Sequence, residues 1–314
     1  MELKKGFSIV IPCFNCKSTI KELVERIHVI LKSMNCDYEI ILVNDASIDN
    51  TWNEIQSIAT NNKNVIGINL MKNYGQHNAL LCGIRRASYE NIVTLDDDLQ
   101  HLPEEIPRMV STLSDGYDVV YGSAKEQVHG IFRNIASKLI KLILSVIMGT
   151  KAAMKVSAFR IFRTNLRNAF ENYDSPNVSI DVLLSWGTNK FGYVYVKHEE
   201  RKVGKSNYNL LKLLSHAFDM ITGFSVLPLR VASVVGIIFT IFGFFVLIYV
   251  IGRYIVVGGS IPGFPFLASI IAIFSGAQLF SLGIIGEYIA RIHFRSMKKP
   301  AYTIKEEVKN GNTI

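Results

Sequence analysis

Cysteine is scarce in this sequence, and charge is nearly absent from one long stretch of it. Four cysteines among 314 residues exclude a disulfide scaffold. Between Arg230 and Glu287 the only group of ordinary charge is Arg253, which excludes a wholly soluble protein. No long apolar segment precedes the first predicted strand, so we expect no signal peptide. Apolar residues nevertheless make up 49% of the chain, which excludes a disordered or fibrous protein.

The charge-poor stretch predicts two membrane helices. Residues 231–252 carry no charge and, at about 1.5 Å per residue, are long enough to cross a hydrocarbon core of about 30 Å. A second uncharged stretch, 254–286, is interrupted by glycines and prolines at 258–265. This interruption predicts a turn, followed by a second helix over 266–286. The alternative is a buried hairpin in the core of a soluble domain.

Basic residues flanking these helices predict their orientation. They lie before the first helix and after the second, whereas the connecting turn has only Arg253 near it. By the positive-inside rule we expect both termini in the cytoplasm and a multi-pass protein of the cell membrane, inner or plasma. The flanking basic residues are Lys205, Lys212, Arg230, Arg291, Arg295, Lys298 and Lys299.

The N-terminal part alternates between short β-rich runs and helical periodicity. This alternation predicts an α/β fold with a doubly wound, mostly parallel sheet. The predicted strands are 7–11, 38–43, 65–70 and 91–95, and the predicted helices are 18–34, 51–60, 76–86 and 103–113.

A cluster of polar residues follows each of these four strands. The carboxyl ends of the strands are where open α/β sheets bind ligands, so four clusters on one edge predict a binding site there. The clusters are 12–15, 44–49, 72–76 and 96–100.

The last cluster contains three consecutive acids, Asp96, Asp97 and Asp98. Neighbouring carboxylates repel one another unless a cation neutralises them. In extended backbone Asp96 and Asp98 reach the same side, with Asp97 turned away, and oxygen ligands of this kind suit Mg²⁺ or Mn²⁺ with help from a substrate phosphate. Gln100 continues the alternation and could add a carbonyl oxygen. The alternative is a run of acids at the N-terminus of the helix that follows Pro103.

Asp45, at the end of the second strand, could accept hydrogen bonds from the polar edge of a base. Its alternative role is an Asx-turn or a cap for the next helix, although Ser47 and Asp49 suit that role better. The sequence has no P-loop that would cradle phosphates. A diphosphate must then be held by a metal ion and basic side chains.

In their order along the chain, the strand-end clusters and several later segments resemble those of the family 2 glycosyltransferases of GT-A fold. More closely, the chain is similar to the polyprenyl-phosphate glycosyltransferases, which include the dolichol-phosphate mannose synthase branch and bacterial relatives with two C-terminal membrane helices. The segments that carry the resemblance are 8–12, 43–49, 73–75, 96–101, 121–123, 159–160, 201–208, 224–230 and 286–288. The implied domains are a cytoplasmic GT-A domain over 1–225, a transmembrane hairpin over 226–290 and a cytoplasmic basic tail over 291–314.

The resemblance implies roles for residues at the strand ends. Pro12 and Phe14 would line the pocket for base and ribose, and Asp45 would contact the base. Asp96 and Asp98 would hold the metal ion and the diphosphate, with Gln100 as a candidate third ligand. The neighbouring members of the clusters that we also expect to bind the donor are Asn15, Asn73 and Asp97.

Other residues would meet the acceptor or cover the donor. Lys125, Arg133 and Ser137 stand where the family grips the acceptor phosphate, and we count Arg133 among the catalytic residues. Arg201 and Lys205 stand in a loop that could close over the donor.

The sequence departs from the family pattern at two positions. Asp97 occupies the middle of the acidic triplet, where the family often has a small residue. Ser157-Ala158 precedes Phe159-Arg160, where many members carry an acid. Asp181 is a substitute catalytic candidate, although it could equally cap a helix over 182–186.

Two stretches, 131–148 and 208–222, have polar and apolar residues on opposite helical faces. Helices of this kind can lie in the plane of the lipid headgroups, which would bring a lipid-borne phosphate near the strand ends. The alternative is ordinary packing of surface helices within the domain.

The predicted function is therefore that of a metal-dependent hexosyltransferase. It would move a sugar from a nucleotide sugar, with UDP preferred over GDP, to a polyprenyl phosphate such as undecaprenyl phosphate, with inversion of configuration. The expected cofactor is Mg²⁺ or Mn²⁺, no nucleic-acid partner is expected, and a homo-oligomer is left open. The alternatives are a membrane glycosyltransferase with a glycan acceptor and a regulator that binds nucleotide sugars without turnover.

Overall fold

The computed structural model describes residues 3–124, 142, 144, 145, 147–199, 221–257 and 263–313. The chain divides into two compact units. The first comprises Met1–Ala217 together with Lys298–Ile314, and the second comprises Phe218–Met297.

The first unit is an α/β domain built on one sheet. Its strands are β1 (Lys4–Cys13), β2 (Tyr38–Asn44), β3 (Val65–Leu70), β4 (Tyr89–Thr94), β5 (Val119–Ala124), β6 (Arg160–Arg163), β7 (Phe191–Val196), β8 (Ile304–Lys309) and β9 (Asn312–Thr313). Its α-helices are α1 (Ile20–Ser33), α2 (Thr51–Asn61), α3 (Gln76–Arg86), α4 (Ile106–Ser114) and α5 (Ile180–Ser185). Short 3₁₀ helices cover Pro103–Glu105, Lys151–Lys155 and Thr164–Phe170.

The strand order is β7-β5-β6-β4-β1-β2-β3-β8-β9. Strands β4, β1, β2 and β3 pair in parallel and form the centre of the sheet. Strand β6 is antiparallel to β4 and β5, and β8 is antiparallel to β3, so the sheet is mixed in its outer parts. The carboxyl ends of the four central strands therefore share one edge, as the sequence predicts.

Helices cover both faces of the sheet. The buried positions of α1 (Ile20, Leu23, Val24, Ile27 and Leu31) recur at helical spacing and join the same core cluster as Ile9 and Ile40 of the strands. On the other face α3 lies close to β1 at Gly83, where an added Cβ atom would be 2.4 Å from Cγ1 of Val10. Only glycine permits this approach of helix to strand.

The end of the chain contributes to the sheet. The sequence predicts only a basic tail over 291–314, whereas β8 pairs antiparallel with β3 and β9 pairs with β8. Within β8 only Val308 is buried, and four of its six residues are charged (sequence IKEEVK). Because the strand lacks an apolar alternation, its sequence gives little strand signal, and such charge is typical of a protected sheet edge.

The second unit contains two long apolar helices, α6 (Leu227–Val257) and α7 (Phe264–Ser296). Both are long and apolar enough to cross a membrane, with candidate spans over Leu227–Val256 and Ile273–Ser296. The two predicted helices are thus confirmed, while most of the turn between them lies outside the described residues. Near the end of α7, Arg291 Nη2 lies 2.8 Å from Glu287 Oε1 one turn earlier.

Candidate active site

Four loops leave the carboxyl ends of the central strands, and each contains a residue in the left-handed region. These residues are Asn15 (φ 56°), Ala46 (φ 52°), Gly75 (φ 92°) and Leu99 (φ 62°). For the three that are not glycine this conformation costs free energy, so the surrounding contacts must hold it in place. The strained conformations at one edge mark it as the candidate site.

The loops after β1 and β2 are joined by hydrogen bonds. The backbone N–H of Asn15 donates to Ser47 Oγ (2.9 Å), and the N–H of Ile48 donates to Asn15 Oδ1 (3.0 Å). Of the two residues predicted to line a base pocket, Phe14 is exposed at this edge, whereas Pro12 is buried within β1 opposite Val43. Asn15 thus fixes the two loops relative to each other.

Asp45 is buried and binds the loop after β3. Its Oδ1 accepts the N–H of Tyr74 (2.7 Å) and its Oδ2 accepts the N–H of Gly75 (2.8 Å). Burial raises the pKa of Asp45, and the two N–H donors oppose part of that rise. The sequence did not indicate this structural role, and contact with a base stays a prediction. Asn73, in the same loop, is exposed.

The three acids after β4 have different partners. Asp96 Oδ1 accepts Nε2 of Gln76 (2.6 Å), Asp98 Oδ1 accepts the N–H of Gln100 (3.1 Å), and Asp97 Oδ2 accepts the N–H of Phe14 (3.0 Å). Asp97 therefore joins the loop after β4 to the loop after β1. Burial is the main cause that raises the pKa of Asp97, and the charge of Asp98 adds to it, while the Phe14 N–H opposes it.

The alternative role of these acids as a helix cap is not seen. The 3₁₀ helix at Pro103–Glu105 has Leu102 as its N-cap and no side-chain capping bond. All three acids are half-buried, at the edge of the sheet rather than in the core.

The chemistry of Asp96 and Asp98 fits a hard cation. Within the described part of the chain, no group of three or more His, Cys, Asp or Glu side chains could hold a metal ion. Asp96 and Asp98 would supply two carboxylates to such an ion, and water and the phosphates of a bound substrate would supply further ligands. Mg²⁺ is commonly held in this way, through one or two carboxylates and substrate phosphates. Coordination by the side chain of Gln100 stays a prediction.

Asp181 lies in a buried ion pair. Its Oδ1 is 2.5 Å from Nη1 of Arg160 and accepts the hydroxyl of Tyr121 (3.0 Å). Arg160 is 2% exposed and Asp181 5%. Nothing in the sequence pattern indicated Arg160 or Tyr121 as partners of this acid, because they come together only when β5, β6 and α5 pack. The predicted catalytic role of Asp181 stays untested.

The family model described as glycosyl transferase family 2 matches residues 8–172. The chain belongs to this family. Similarity to curated relatives extends further, because an undecaprenyl-phosphate 4-deoxy-4-formamido-L-arabinose transferase of Proteus mirabilis is 34% identical over 96% of this chain and 93% of the relative. A protein of the same name from Serratia proteamaculans is 34% identical over 98% of this chain and 97% of its own.

The fold of this glycosyltransferase is shared with known structures. Glucosyl-3-phosphoglycerate synthase from Mycobacterium tuberculosis, crystallised with Mn²⁺ and UDP-glucose, matches 69% of this chain and 77% of its own, with 17% identity and a TM-score of 0.51. The prediction of a GT-A fold in family 2 is therefore confirmed.

In this glycosyltransferase the loop after β4, which carries Asp96, Asp97 and Asp98 and is called the acidic loop below, also contacts the segment after β7. The N–H of Glu199 donates to the carbonyl oxygen of Gln100 (3.0 Å), and His101 forms an isolated bridge with His198. The two imidazole rings meet edge to face, with centroids 5.1 Å apart. Burial lowers the pKa of His101 to about 4, and His198 and Arg160 add to the shift, so the ring stays neutral near pH 7.

Several residues predicted for the glycosyltransferase site lie outside the described residues. The same holds for most of the predicted amphipathic stretches 131–148 and 208–222. Their roles stay predictions from the sequence. The residues concerned are Lys125, Arg133, Ser137, Arg201 and Lys205.

Proposed function

We propose that the protein transfers a sugar from a nucleotide sugar to undecaprenyl phosphate or a related polyprenyl phosphate. One observation carries this proposal: the similarity to transferases named for undecaprenyl phosphate covers 96% of the chain, and so includes both the sheet and the apolar helices. A match confined to residues 8–172 would support only a family 2 transferase of unspecified acceptor.

The donor is proposed to lie along the loops at the carboxyl ends of β1, β2 and β4. Phe14 offers an exposed ring of the kind that can stack on a base, and its backbone N–H donates to Asp97 in the loop after β4. UDP is the proposed nucleotide. The sugar is left open, because relatives that are 34% identical can differ in the pocket that selects it.

Asp96 and Asp98 are the residues proposed to hold Mg²⁺ or Mn²⁺. Such an ion, bound with the donor diphosphate, would neutralise the negative charge that develops as the nucleoside diphosphate leaves. The hydrogen bonds from Gln76 and from the Gln100 N–H hold one oxygen of each carboxylate in a fixed direction. Asp97 is proposed to act indirectly, by keeping Phe14 beside the acidic loop.

The proposed reaction is a direct displacement with inversion. An oxygen of the lipid phosphate forms a bond to the anomeric carbon, and the bond from that carbon to the β-phosphate oxygen breaks, so that UDP leaves with the electron pair. A phosphate monoester is already ionised near pH 7, so the protein need not supply a strong base. Asp181, which is bonded to Arg160, is therefore given no proton-transfer role.

The proposed location is the cytoplasmic face of the cell membrane, with α6 and α7 as the anchor. Both helices are able to span a bilayer by length and composition. The basic residues that follow α7 favour a cytoplasmic C-terminus, and Arg133, Lys125 and Ser137 are proposed to bind the lipid phosphate.

The test is an assay of UDP release by the full-length protein in detergent. A panel of UDP-sugars and GDP-sugars is supplied with and without Mg²⁺ and with and without undecaprenyl phosphate, and GDP release is measured for the GDP-sugars. Undecaprenol without phosphate serves as the matched control. We expect release with one UDP-sugar that depends on both the metal ion and the lipid phosphate. Sugar transfer that does not depend on the lipid phosphate would favour a glycan acceptor. Donor binding without any release of nucleoside diphosphate would favour a regulator.

A further inference from the structure

Four residues form a polar row across the sheet at its carboxyl edge. Cys13 of β1 is paired with Asn44 of β2, Asn44 with Asn69 of β3, and Asn69 with Glu306 of β8. Asn44 and Asn69 are buried, at 1% and 6% exposure. The fourth member comes from β8, more than two hundred residues after the others in the sequence.

Three side chains of this row, those of Asn44, Asn69 and Glu306, form a continuous hydrogen-bonded chain with Ser47, which we call the amide chain. Asn69 Nδ2 donates to Glu306 Oε1 (2.9 Å), and Asn44 Nδ2 donates to Asn69 Oδ1 (2.8 Å). Ser47 Oγ then donates to Asn44 Oδ1 (2.5 Å), and the N–H of Asn15 donates to Ser47 Oγ (2.9 Å). Every bond donates in the same direction, from the loop after β1 towards Glu306.

Glu306 determines that direction. An ionised carboxylate only accepts hydrogen bonds, whereas each asparagine amide can present either its oxygen or its NH₂ group. With Glu306 at the end, Asn69 must turn its NH₂ group towards β8 and its oxygen towards Asn44. Asn44 must then turn its oxygen towards Ser47, and a lone pair of the Ser47 hydroxyl is left for Asn15.

The other end of the amide chain lies in the strained loops. Asn15 and Ala46 have positive φ, and Ser47 stands next to Ala46. Two hydrogen bonds join these loops: the N–H of Ile48 donates to Asn15 Oδ1, and the N–H of Asn15 donates to Ser47 Oγ, so one of the two bonds needs the Ser47 hydroxyl in its observed orientation. Resting on the proposed function, these are the loops that would receive the nucleotide.

We infer that Glu306 is a positioning residue for the donor nucleotide. Strand β8 thus sets the shape of the loops after β1 and β2 through Asn69, Asn44 and Ser47. It does so without touching the donor, because β3 lies between β8 and β2 in the sheet.

The primary test compares Glu306→Leu with Glu306→Gln and Glu307→Leu. Glutamine keeps an acceptor oxygen for Asn69. Glu307 is the matched control, since it lies next in β8 and anchors the strand through Arg86 (2.9 Å) but takes no part in the amide chain. The readouts are the Kd for UDP by calorimetry with Mg²⁺, the KM for donor and for lipid phosphate, kcat, and the melting temperature.

We expect Glu306→Leu to raise the Kd for UDP about tenfold, which corresponds to about 1.4 kcal/mol. The KM for the lipid phosphate and kcat should change by less than about threefold. Glu306→Gln and Glu307→Leu should bind UDP within about threefold of wild type, and Glu307→Leu should lower the melting temperature at least as much as Glu306→Leu.

Ser47→Ala interrupts the amide chain from its other end without altering β8. It should raise the Kd for UDP by itself, and its effect should not add to that of Glu306→Leu in the double variant. Equal losses of binding in Glu306→Leu and Glu307→Leu would overturn the inference, because strand docking alone would explain them. Strictly additive effects of Ser47→Ala and Glu306→Leu on the Kd for UDP would also overturn it. A wild-type protein that binds no nucleoside diphosphate would contradict the proposed function itself, whereas normal UDP binding by Glu306→Leu would contradict the inference alone.

Discussion

Replacing Asp181 by asparagine leaves the buried guanidinium of Arg160 without its counter-ion. The two groups are 2.5 Å apart and almost fully buried, and Tyr121 donates to the same carboxylate oxygen. Removing one partner of a buried ion pair costs about 3–5 kcal/mol, because a charge is left without compensation. Asparagine still offers an oxygen to Tyr121, so we expect the lower end, about 3 kcal/mol. For a domain of this size that loss lowers the melting temperature by roughly 6–12 °C.

The matched control removes all three polar groups together, as Tyr121→Phe, Arg160→Met and Asp181→Leu. Apolar side chains of similar volume can replace a buried ion pair at little cost, so this triple variant should recover most of the lost stability. The assay is differential scanning fluorimetry in detergent, paired with kcat for sugar transfer at a temperature where every variant is folded.

The two roles of Asp181 make opposite predictions for kcat. If the ion pair is structural, the triple variant retains kcat within about tenfold of wild type. If Asp181 acts as an acid or base, kcat falls by about a hundredfold or more even where the fold is restored. An Asp181→Asn variant that has the wild-type melting temperature but no longer transfers the sugar would refute the structural role.

Three further predictions concern the remaining site residues. Asp98→Asn should abolish transfer while the protein folds and inserts as before, because the substitution removes a metal-binding charge from a half-buried position; near-normal turnover would reject the metal role. Asp45→Ala should raise the donor KM at least tenfold and destabilise the protein by about 1–3 kcal/mol in chemical unfolding, since the N–H groups of Tyr74 and Gly75 lose their acceptors; unchanged donor KM would contradict this. Arg133→Ala should weaken use of the lipid acceptor more than donor binding, and equal affinity for lipid phosphate in the variant would count against the role that the sequence implies.

Local sequence signals predicted the central strands and helices well. The bounds of β3 and α3 agree with the predicted 65–70 and 76–86, because both segments carry clear periodicity and end at turn residues. The four polar clusters were predicted to share one edge, and hydrogen bonds do join their loops.

Contacts between distant parts of the chain were not predictable in the same way. Arg160 and Asp181 meet only after β6 and α5 pack, and Asp45 finds its donors in a loop nearly thirty residues later. Strand β8 carries charge on most of its positions, so its pairing with β3 depends on an edge that only the folded sheet provides. Each of these features depends on tertiary packing, which a single sequence does not display.

Mass spectrometry of the lipid product tests the central claim most directly. Undecaprenyl phosphate is incubated with the full-length protein, Mg²⁺ and the UDP-sugar that supports UDP release, and the lipid fraction is analysed for mass and phosphate content. Attack of the lipid phosphate on the anomeric carbon predicts a product with one sugar and a single phosphate. A lipid with two phosphates, or a sugar recovered only on a non-lipid acceptor, would contradict the account.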